Sequence, residues 1–237
     1  MFADLCEWAK LRIITTFGMS MNESHPTPIL YSFRRCPYAM RARMIIALCD
    51  FRVALREVVL RDKPASLLAS STKATVPVLV LPSGKVLDES MEIIRWVLER
   101  NVADGLATLT DKQTTLGLQI IERNDGPFKH HLDRAKYPDR YDDVDPLEHR
   151  KKASKFIAYL EDLLTQNTYL VCNSPSWVDI SVFPFIRQFA NHDTKWFDAL
   201  ECPKVKNWLQ GWLESPSFKG IMRKYKQWSH GDQELYF

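Results

Sequence analysis

Strand-like and helix-like segments are distributed unevenly along this chain, and their distribution restricts the fold more than any single motif. Within residues 27–104 the pattern predicts a strand, a helix, a strand, a short helix, a hairpin and a helix. Beyond residue 104 the pattern is helical, with no convincing strand. We therefore expect a small mixed α/β domain followed by an all-helical domain.

Local signals in the first part of the chain support this division. The segment "ILYSF" (29–33) alternates as a strand does, and "RVALREVVL" (52–60) is rich in β-branched residues. Pro37 opens a helical pattern. The run "VPVLVL" (76–81) predicts a strand that a turn joins to "VLDES" (86–90). Together these segments predict a sheet domain over residues 27–104.

The helical pattern over residues 109–230 predicts the all-helical domain. Gly126 and Pro127 should kink or split its first helix. Ser176 stands three residues before Asp179, which predicts a capping box at the start of a later helix. The helices are expected near residues 111–135, 146–165, 177–191, 203–214 and 216–227.

The composition is that of an ordinary globular protein. Hydrophobic residues make up 46% and charged residues 26%, and the net charge of +3 is too small to indicate binding to nucleic acid or to an anionic membrane. No stretch approaches the roughly 20 apolar residues that span a bilayer. Residues 1–26 are expected to form an extension outside the fold, with a docked N-terminal helix as the alternative.

The five cysteines are scattered and odd in number, and no pair has Cys-x-x-Cys spacing. This pattern argues against a disulfide scaffold and against a zinc site, so we expect no metal. A reducing cytoplasm is the expected compartment.

Cys36 stands where the first predicted strand meets the first predicted helix, in "FRRCPYAMRARMII". A cysteine attacks as its thiolate, and a helix N-terminus lowers the thiol pKa from its usual value of about 8.5. Arg34, Arg35 and Arg41 would add positive charge nearby, although exposed arginines are screened. These features predict a reactive thiolate at Cys36.

Cys202 provides an internal comparison, because it also precedes a proline. It follows a loop between predicted helices, and Glu201 rather than an arginine stands before it. No sheet edge would present a ligand there. We therefore interpret Cys202 as a tolerated helix cap.

Two further segments could hold a ligand beside Cys36. A cis bond before Pro77 would turn the backbone of Val76 outward, where an extended peptide could pair with it. Ser90 and the N–H groups of the following helix start could bind a carboxylate, and Glu89 could bind an ammonium group. A ligand with a thiol, a peptide backbone, a carboxylate and an amine suits all these places, and glutathione has these groups.

Three motifs resemble those of the cytosolic glutathione transferases: "FRRCPYAMRARMIIAL", "RDKPASLLASSTKATVPVLVLPSGKVLDES" and "SPSWVDISVFPFIRQFA". The match is closest to the cysteine-type branch, meaning the omega class and related bacterial proteins. It covers about residues 27–230 and implies a thioredoxin-like domain followed by an all-helical domain.

The resemblance also implies roles for individual residues. Cys36 matches the active cysteine, and Lys63 matches a lysine that contacts the glycyl carboxylate of glutathione. Val76 and Pro77 match the backbone-pairing residue and its cis-proline. Glu89 and Ser90 match the pair that binds the γ-glutamyl end. The pocket for a small electrophilic or disulfide substrate would draw on Tyr38, Phe128, Tyr137 and Trp177, although each could equally be simple packing. A homodimer is implied by the resemblance alone.

The residue type at the active position sets the expected reaction. A cysteine thiolate is suited to forming a mixed disulfide with glutathione, which predicts deglutathionylation or reduction of dehydroascorbate or S-conjugates. Ala39 stands where a second cysteine could have been, so a second glutathione must release the product. Two alternatives stay open: Tyr31 as an activating hydroxyl, and a non-enzymatic module of the same fold.

Overall fold

The computed structural model of the protein describes residues 27–237, so the expected extension at residues 1–26 lies outside the described residues. The described chain divides into two compact units. One contains residues 27–104 together with Pro216–Phe237, and the other is Gly105–Ser215. No helix within residues 27–237 combines the length and the apolar character needed to cross a membrane.

A four-stranded sheet lies at the centre of the first unit. Its strands are β1 (Ile29–Ser32), β2 (Ala54–Glu57), β3 (Val78–Val80) and β4 (Val86–Leu87), in the spatial order β2-β1-β3-β4. β1 pairs in parallel with β2 and antiparallel with β3, and β3 pairs antiparallel with β4. The predicted strand segments are therefore confirmed, each as a shorter strand within its segment.

Ten α-helices accompany this sheet in the described part of the chain. They are α1 (Pro37–Leu48), α2 (Ala65–Ser70), α3 (Ser90–Leu98), α4 (Asp111–Arg123), α5 (Lys129–Lys136), α6 (Pro146–Gln166), α7 (Trp177–Ala190), α8 (Thr194–Asp198), α9 (Pro203–Glu214) and α10 (Pro216–Ile221). A π-helical turn, Asn124–Phe128, separates α4 from α5 and contains Gly126 and Pro127, where the sequence predicted a break. The short helix α8 was not predicted, because five residues are too few to show a helical period.

In the first unit α1 packs against α3. Met40, Met44 and Ile45 of α1 are buried, as are Ile93 and Val97 of α3. Burial of such side chains contributes about 1.5–3 kcal/mol each to folding. This packing fixes the direction of α1 and hence the position of the residue that precedes it.

The C-terminal tail covers the outer edge of β2. Val53 and Phe237 exchange two backbone hydrogen bonds (N···O 3.2 and 2.9 Å), and the N–H of Leu55 donates to the carbonyl of Leu235 (2.7 Å). An uncovered edge strand presents unpaired N–H and C=O groups that can pair with another chain. The tail satisfies those groups within the same unit.

Side chains also attach the tail to β2. The Arg56 guanidinium lies 4.1 Å from the centre of the Trp228 ring, donates to the Tyr31 hydroxyl (2.8 Å) and pairs with Glu234 (2.9 Å). The helical domain expected from the sequence extended to residue 230. The structure instead groups Pro216–Phe237 with the sheet, because these contacts join distant parts of the sequence.

Asp179 is the polar centre of the helical unit. This buried carboxylate accepts hydrogen bonds from the backbone N–H groups of Leu170 and Ser176 (both 3.0 Å), from the Ser176 hydroxyl (2.7 Å) and from the Trp208 indole (3.0 Å). Burial raises its pKa above the ordinary aspartate value. The predicted capping box is present, and its many partners identify Asp179 as a folding element.

Removing residues 223–237 should weaken the first unit and promote self-association. The truncation exposes the edge of β2 and eliminates several backbone hydrogen bonds, each contributing about 1 kcal/mol. We expect a loss of a few kcal/mol in the free energy of unfolding, measured by denaturant titration, and larger particles in light scattering. His230→Ala, at an exposed tail position, is the control and should match the parent. A truncated protein with the parent's stability and size would contradict the assigned role of the tail.

Candidate active site

Cys36 connects β1 to α1. Its backbone is extended (φ −74°, ψ 123°), its N–H donates to the carbonyl of Phe33 (3.0 Å), and its carbonyl accepts from the N–H of Met40 (2.8 Å). Pro37 follows as the first residue of α1. Cys36 is therefore the N-cap of α1, as the sequence predicted, and its side chain is half-buried.

The Cys36 thiol lies against the chain that enters β3. Its Sγ is 3.5 Å from the carbonyl oxygen of Val76, to which the protonated thiol can donate. Its side chain makes no capping hydrogen bond to the start of α1. The peptide bond between Val76 and Pro77 is cis. Sequence positions 36, 76 and 77, which were predicted to act together, thus lie side by side.

Arg43 is a charged neighbour of Cys36 that sequence reasoning missed. It is buried, donates to the Ser32 hydroxyl and to the carbonyl of Arg34 (2.7 Å), and interacts electrostatically with Cys36. Burial lowers the pKa of the Arg43 guanidinium to about 10, although Glu57 and Cys36 act in the opposite direction. The guanidinium therefore stays charged at neutral pH, within a medium that screens it less than water does.

The arginines expected to act on Cys36 differ in their environments. Arg35 is exposed and lies over the Phe33 ring (5.7 Å), so solvent screens its charge. Arg41 is fully buried, with Nη1 3.1 Å from Met91 Sδ and its guanidinium 4.9 Å from the Tyr38 ring centre. Arg34 is half-buried. Of these three arginines only Arg41 is buried, and it belongs to α1 rather than to the loop before it.

Glu57 completes the charged group around Arg43. Its carboxylate accepts from the backbone N–H of Arg34 (2.7 Å). Burial raises the pKa of Glu57, while that hydrogen bond and the charges of Arg43 and Arg34 partly offset the rise. Glu57 thus orders the loop that carries Cys36 and moderates the positive field of Arg43.

The segment before α3 forms a second polar cluster. Lys73 donates to Asp88 (3.2 Å) and to the exposed Glu89 (2.5 Å), and Ser71 donates to Asp88 (2.8 Å). Burial raises the pKa of Asp88, but the bonds from Ser71 and Lys73 outweigh it and hold that pKa below its ordinary value. The side-chain bonds to Glu89 and Asp88 raise the pKa of Lys73. Ser90 is buried at the first position of α3.

Lys73 was not among the predicted site residues. It stands in the polar run "STKAT", which carries no motif on its own. Its partners lie 15 and 16 positions further along the chain, so only the fold reveals the contact. Lys63, which was predicted, is half-buried just before α2.

The four candidates for a second-substrate pocket lie in varied surroundings. Phe128 packs against Phe156 and Phe189 (ring centroids 4.9 and 5.5 Å). It also borders a cavity of about 390 Å³ within the helical unit. Tyr38 lies under Arg41 and Tyr137 under Arg140, whereas Trp177 is buried at the start of α7 beside Gly117.

Tyr31 is part of the hydrophobic core of the first unit, together with Val58, Leu67, Val76 and Val78. Its hydroxyl accepts from Arg56 (2.8 Å), and its ring meets Trp228 edge-on (6.3 Å). This hydroxyl is engaged on the side of β2, whereas Cys36 contacts the chain before β3. The packing interpretation of Tyr31 agrees with these contacts.

Cys202 precedes α9 and is buried. Burial raises the pKa of its thiol, with a smaller opposing effect of Lys206. Cys49 is also buried, and burial raises its pKa as well. Both environments disfavour a thiolate, which agrees with the interpretation of Cys202 as a structural cap.

Family sequence models match both units of the chain. Residues 30–104 match "Glutathione S-transferase, N-terminal domain", and residues 128–222 match "Glutathione S-transferase, C-terminal domain". Together these matches cover more than half of the chain.

Individual proteins agree with the family models. Glutathione S-transferase omega-1 of Sus scrofa is 22% identical over 206 residues, which is 81% of this chain and 79% of that protein. Glutaredoxin 2 of Escherichia coli K12 is 33% identical over 85 residues, which is 36% of this chain and 38% of that protein. A glutathione transferase family member from Pseudomonas fluorescens, solved with two glutathione molecules bound, has a TM-score of 0.71 at 19% identity, over 85% of this chain and 95% of its own. This structural likeness shows the fold.

Replacing Arg43 should reduce the reactivity of Cys36 more than replacing Arg35. Arg43→Met removes a buried positive charge beside the sulfur, whereas Arg35→Met removes a solvent-screened one. We expect the rate of iodoacetamide alkylation at neutral pH to fall about tenfold in Arg43→Met, which corresponds to ~1.4 kcal/mol of lost thiolate stabilisation. Arg43→Lys keeps the charge and should recover much of the rate. Equal alkylation rates in Arg43→Met and Arg35→Met would show that burial of the charge has no influence on the reactivity of Cys36.

Proposed function

Because the chain belongs to the glutathione S-transferase family, we propose that it is a glutathione-dependent thiol transferase of the cysteine type, with Cys36 as the nucleophile. One observation carries the proposal. The Cys36 sulfur lies at the start of α1, half-buried, and 3.5 Å from the carbonyl of Val76 beside a cis-proline. A sulfur in that place can meet the sulfur of a peptide that pairs with the Val76 backbone.

The proposed reaction exchanges disulfides in two steps. The Cys36 thiolate attacks the glutathione sulfur of a mixed disulfide, so that a Cys36–glutathione disulfide forms and the substrate leaves as a thiolate. The thiolate of a second glutathione then attacks the glutathione sulfur, which regenerates the Cys36 thiolate and releases glutathione disulfide. Ala39 follows the Cys-Pro-Tyr sequence, so the chain offers no second thiol at that position. The two glutathione molecules in the Pseudomonas fluorescens structure are consistent with a site that serves two.

Glutathione would be held at its backbone and at both ends. The Val76 backbone would pair with the cysteinyl unit, and pairing would compete with the Cys36 thiol for the Val76 carbonyl. Ser90 and the first N–H groups of α3 would receive the γ-glutamyl carboxylate. Glu89 would receive the ammonium group, sharing its charge with Lys73. Lys63 would pair with the glycyl carboxylate.

Arg43 would favour both steps electrostatically. Its charged guanidinium stabilises the Cys36 thiolate before attack and again when Cys36 is the leaving group. Its burial makes the interaction stronger than an exposed ion pair, which is commonly worth 1 kcal/mol or less.

The second substrate is proposed to be a small electrophile or disulfide. Tyr38, Phe128, Tyr137 and Trp177 stay candidates for its pocket. A homodimer and a cytoplasmic location also stay predictions. A hydroxyl mechanism through Tyr31 is disfavoured, since that hydroxyl lies on the side of β2 with Arg56, whereas the Cys36 thiol contacts the Val76 carbonyl.

Cys36→Ser should abolish thiol transfer, while Tyr31→Phe should retain most of it. A serine hydroxyl cannot form the mixed disulfide, so we expect turnover of a glutathionylated peptide to fall by about a thousandfold or more. Tyr31→Phe removes only the hydroxyl that accepts from Arg56. Coupled glutathione reductase kinetics measure both variants.

The opposite pattern would assign activation to Tyr31 and overturn the cysteine mechanism. A further outcome bears on the non-enzymatic alternative. If the parent protein is not retained on immobilised glutathione, and mass spectrometry finds no glutathione adduct on Cys36 after treatment with glutathione disulfide, the fold serves here as an interaction module.

Glu89→Gln should raise the KM for glutathione while kcat at saturation changes little. The substitution removes the charge that pairs with the ligand ammonium, and Lys73 stays bound to Asp88. We expect a rise of about tenfold, equivalent to ~1.4 kcal/mol of binding. Glu99→Gln, at the far end of α3, is the matched control and should keep the parent KM. An unchanged KM in Glu89→Gln would remove Glu89 from the binding site.

A further inference from the structure

Three histidine side chains converge on the surface of the helical unit. His130 and His131 are consecutive in α5, and His149 lies in the first turn of α6. One ring nitrogen from each lies within 4.8 Å of the other two. Within residues 27–237 this is the one group of three or more histidine, cysteine or acidic side chains so arranged.

The contact between His131 and His149 is close and specific. Their Nδ1 atoms are 2.9 Å apart, so one ring must donate and the other accept, and a single proton lies between them. The ring centroids of the three pairs are 4.9, 5.8 and 4.9 Å apart. Two facing ring nitrogens that share one proton are the arrangement in which a metal ion can replace that proton.

The spacing of the nitrogens suits a small transition-metal ion. Zinc–nitrogen bonds of about 2.0–2.1 Å in a tetrahedral site place ligand nitrogens roughly 3.3–3.4 Å apart. The observed separations, from 2.9 Å to at most 4.8 Å, bracket that value. His130 is exposed and the other two are half-buried, so small side-chain rotations can close the difference. Imidazole nitrogens favour zinc, copper or nickel over calcium or magnesium.

Two rings of the cluster, His130 and His131, have lowered pKa values. Burial lowers the pKa of His131, and the neighbouring His130 and His149 lower it further. Burial likewise lowers the pKa of His130, with added effects of Arg134 and His149. Histidine binds metals as the neutral imidazole.

We propose that His130, His131 and His149 form a binding site for Zn²⁺ or a similar divalent transition-metal ion, with solvent completing the coordination. The ion would connect α5 to the start of α6. His131 also borders the cavity of about 390 Å³ that Phe128 and Phe156 line. The sequence-based expectation of no metal rested on cysteine spacing, which does not report on histidines brought together by helix packing.

The charged groups around the cluster set the conditions for binding. Arg134 Nη1 lies 3.0 Å from His130 Nδ1, so Arg134 must move away or His130 must bind through Nε2. Lys152 is paired with Glu148 (2.6 Å), and Lys129 with Asp133. The positive charge of Arg134 opposes a cation, so its removal should strengthen binding. Binding should weaken as the pH falls and protons compete for the rings.

Calorimetric titration of the full-length chain without a histidine tag, after chelator treatment, tests the site with ZnCl₂ at neutral pH. Because a thiolate also binds zinc, all variants are made in a Cys36→Ser background. We expect one equivalent to bind in that background and the affinity to fall at least about tenfold in His131→Gln and in His149→Gln. His192 is a histidine of the same unit outside the cluster, so His192→Gln should bind zinc with the affinity of the Cys36→Ser protein.

Two further measurements separate ligand loss from a folding defect. Arg134→Gln leaves all three histidines in place and should bind zinc more tightly. The absorption spectrum of the Co²⁺-substituted protein should indicate tetrahedral nitrogen coordination and should be lost in His149→Gln. The site would be overturned if the folded Cys36→Ser protein bound no zinc, or if His131→Gln and His149→Gln each bound zinc as tightly as that protein does. Neither result depends on thiol transfer, so the proposed function is tested separately.

Discussion

The antiparallel pairing of β3 with β1 is the constraint on which the candidate site depends. Its register sets Tyr31 opposite Val78, so the chain two residues before Val78 lies beside the chain that leaves β1. Val76 therefore reaches Cys36, although 40 positions separate them in the sequence. The Cys36 thiol and the Val76 backbone are held together by the hydrogen bonds between β1 and β3, and both residues pack in the hydrophobic core around Tyr31.

The order of the strands and helices was predictable because each carries a local signal. The alternation of "ILYSF", the proline at the start of α1 and the capping box of Ser176 and Asp179 depend on neighbours a few residues away. The C-terminal tail could not be placed in this way. Leu235 pairs with Leu55, and a single strand cannot reveal a partner that distant in the sequence.

The residues of the candidate site differ in the same way: some carry a local sequence signal, and others are revealed only by the fold. Cys36 stands in a motif of contiguous residues, and its position at the start of α1 follows from them. Arg43 was missed because helical periodicity assigns an arginine to solvent, whereas in the interior the Ser32 hydroxyl and the Arg34 carbonyl accept hydrogen bonds from it. A buried guanidinium is costly unless its donors are paired, so its presence beside a sulfur is a stronger electrostatic signal than several exposed arginines. That signal exists only once the chain is folded.

The packing around β1 gives different surroundings to the two candidate activating groups, the Tyr31 hydroxyl and the Cys36 thiol. Tyr31 and Cys36 stand at the two ends of one short segment, yet their polar atoms face different partners. Arg56, itself held by Glu234 and the Trp228 ring, donates to the Tyr31 hydroxyl. That hydroxyl therefore lies on the side of β2, whereas the Cys36 thiol contacts the chain before β3. The Cys36 thiol contacts the Val76 carbonyl, an acceptor that favours the protonated thiol, while the charge of Arg43 favours the thiolate. A peptide that takes the carbonyl for its own backbone pairing would remove the first influence and leave the second. Under the proposed function, binding of the peptide would therefore favour the Cys36 thiolate.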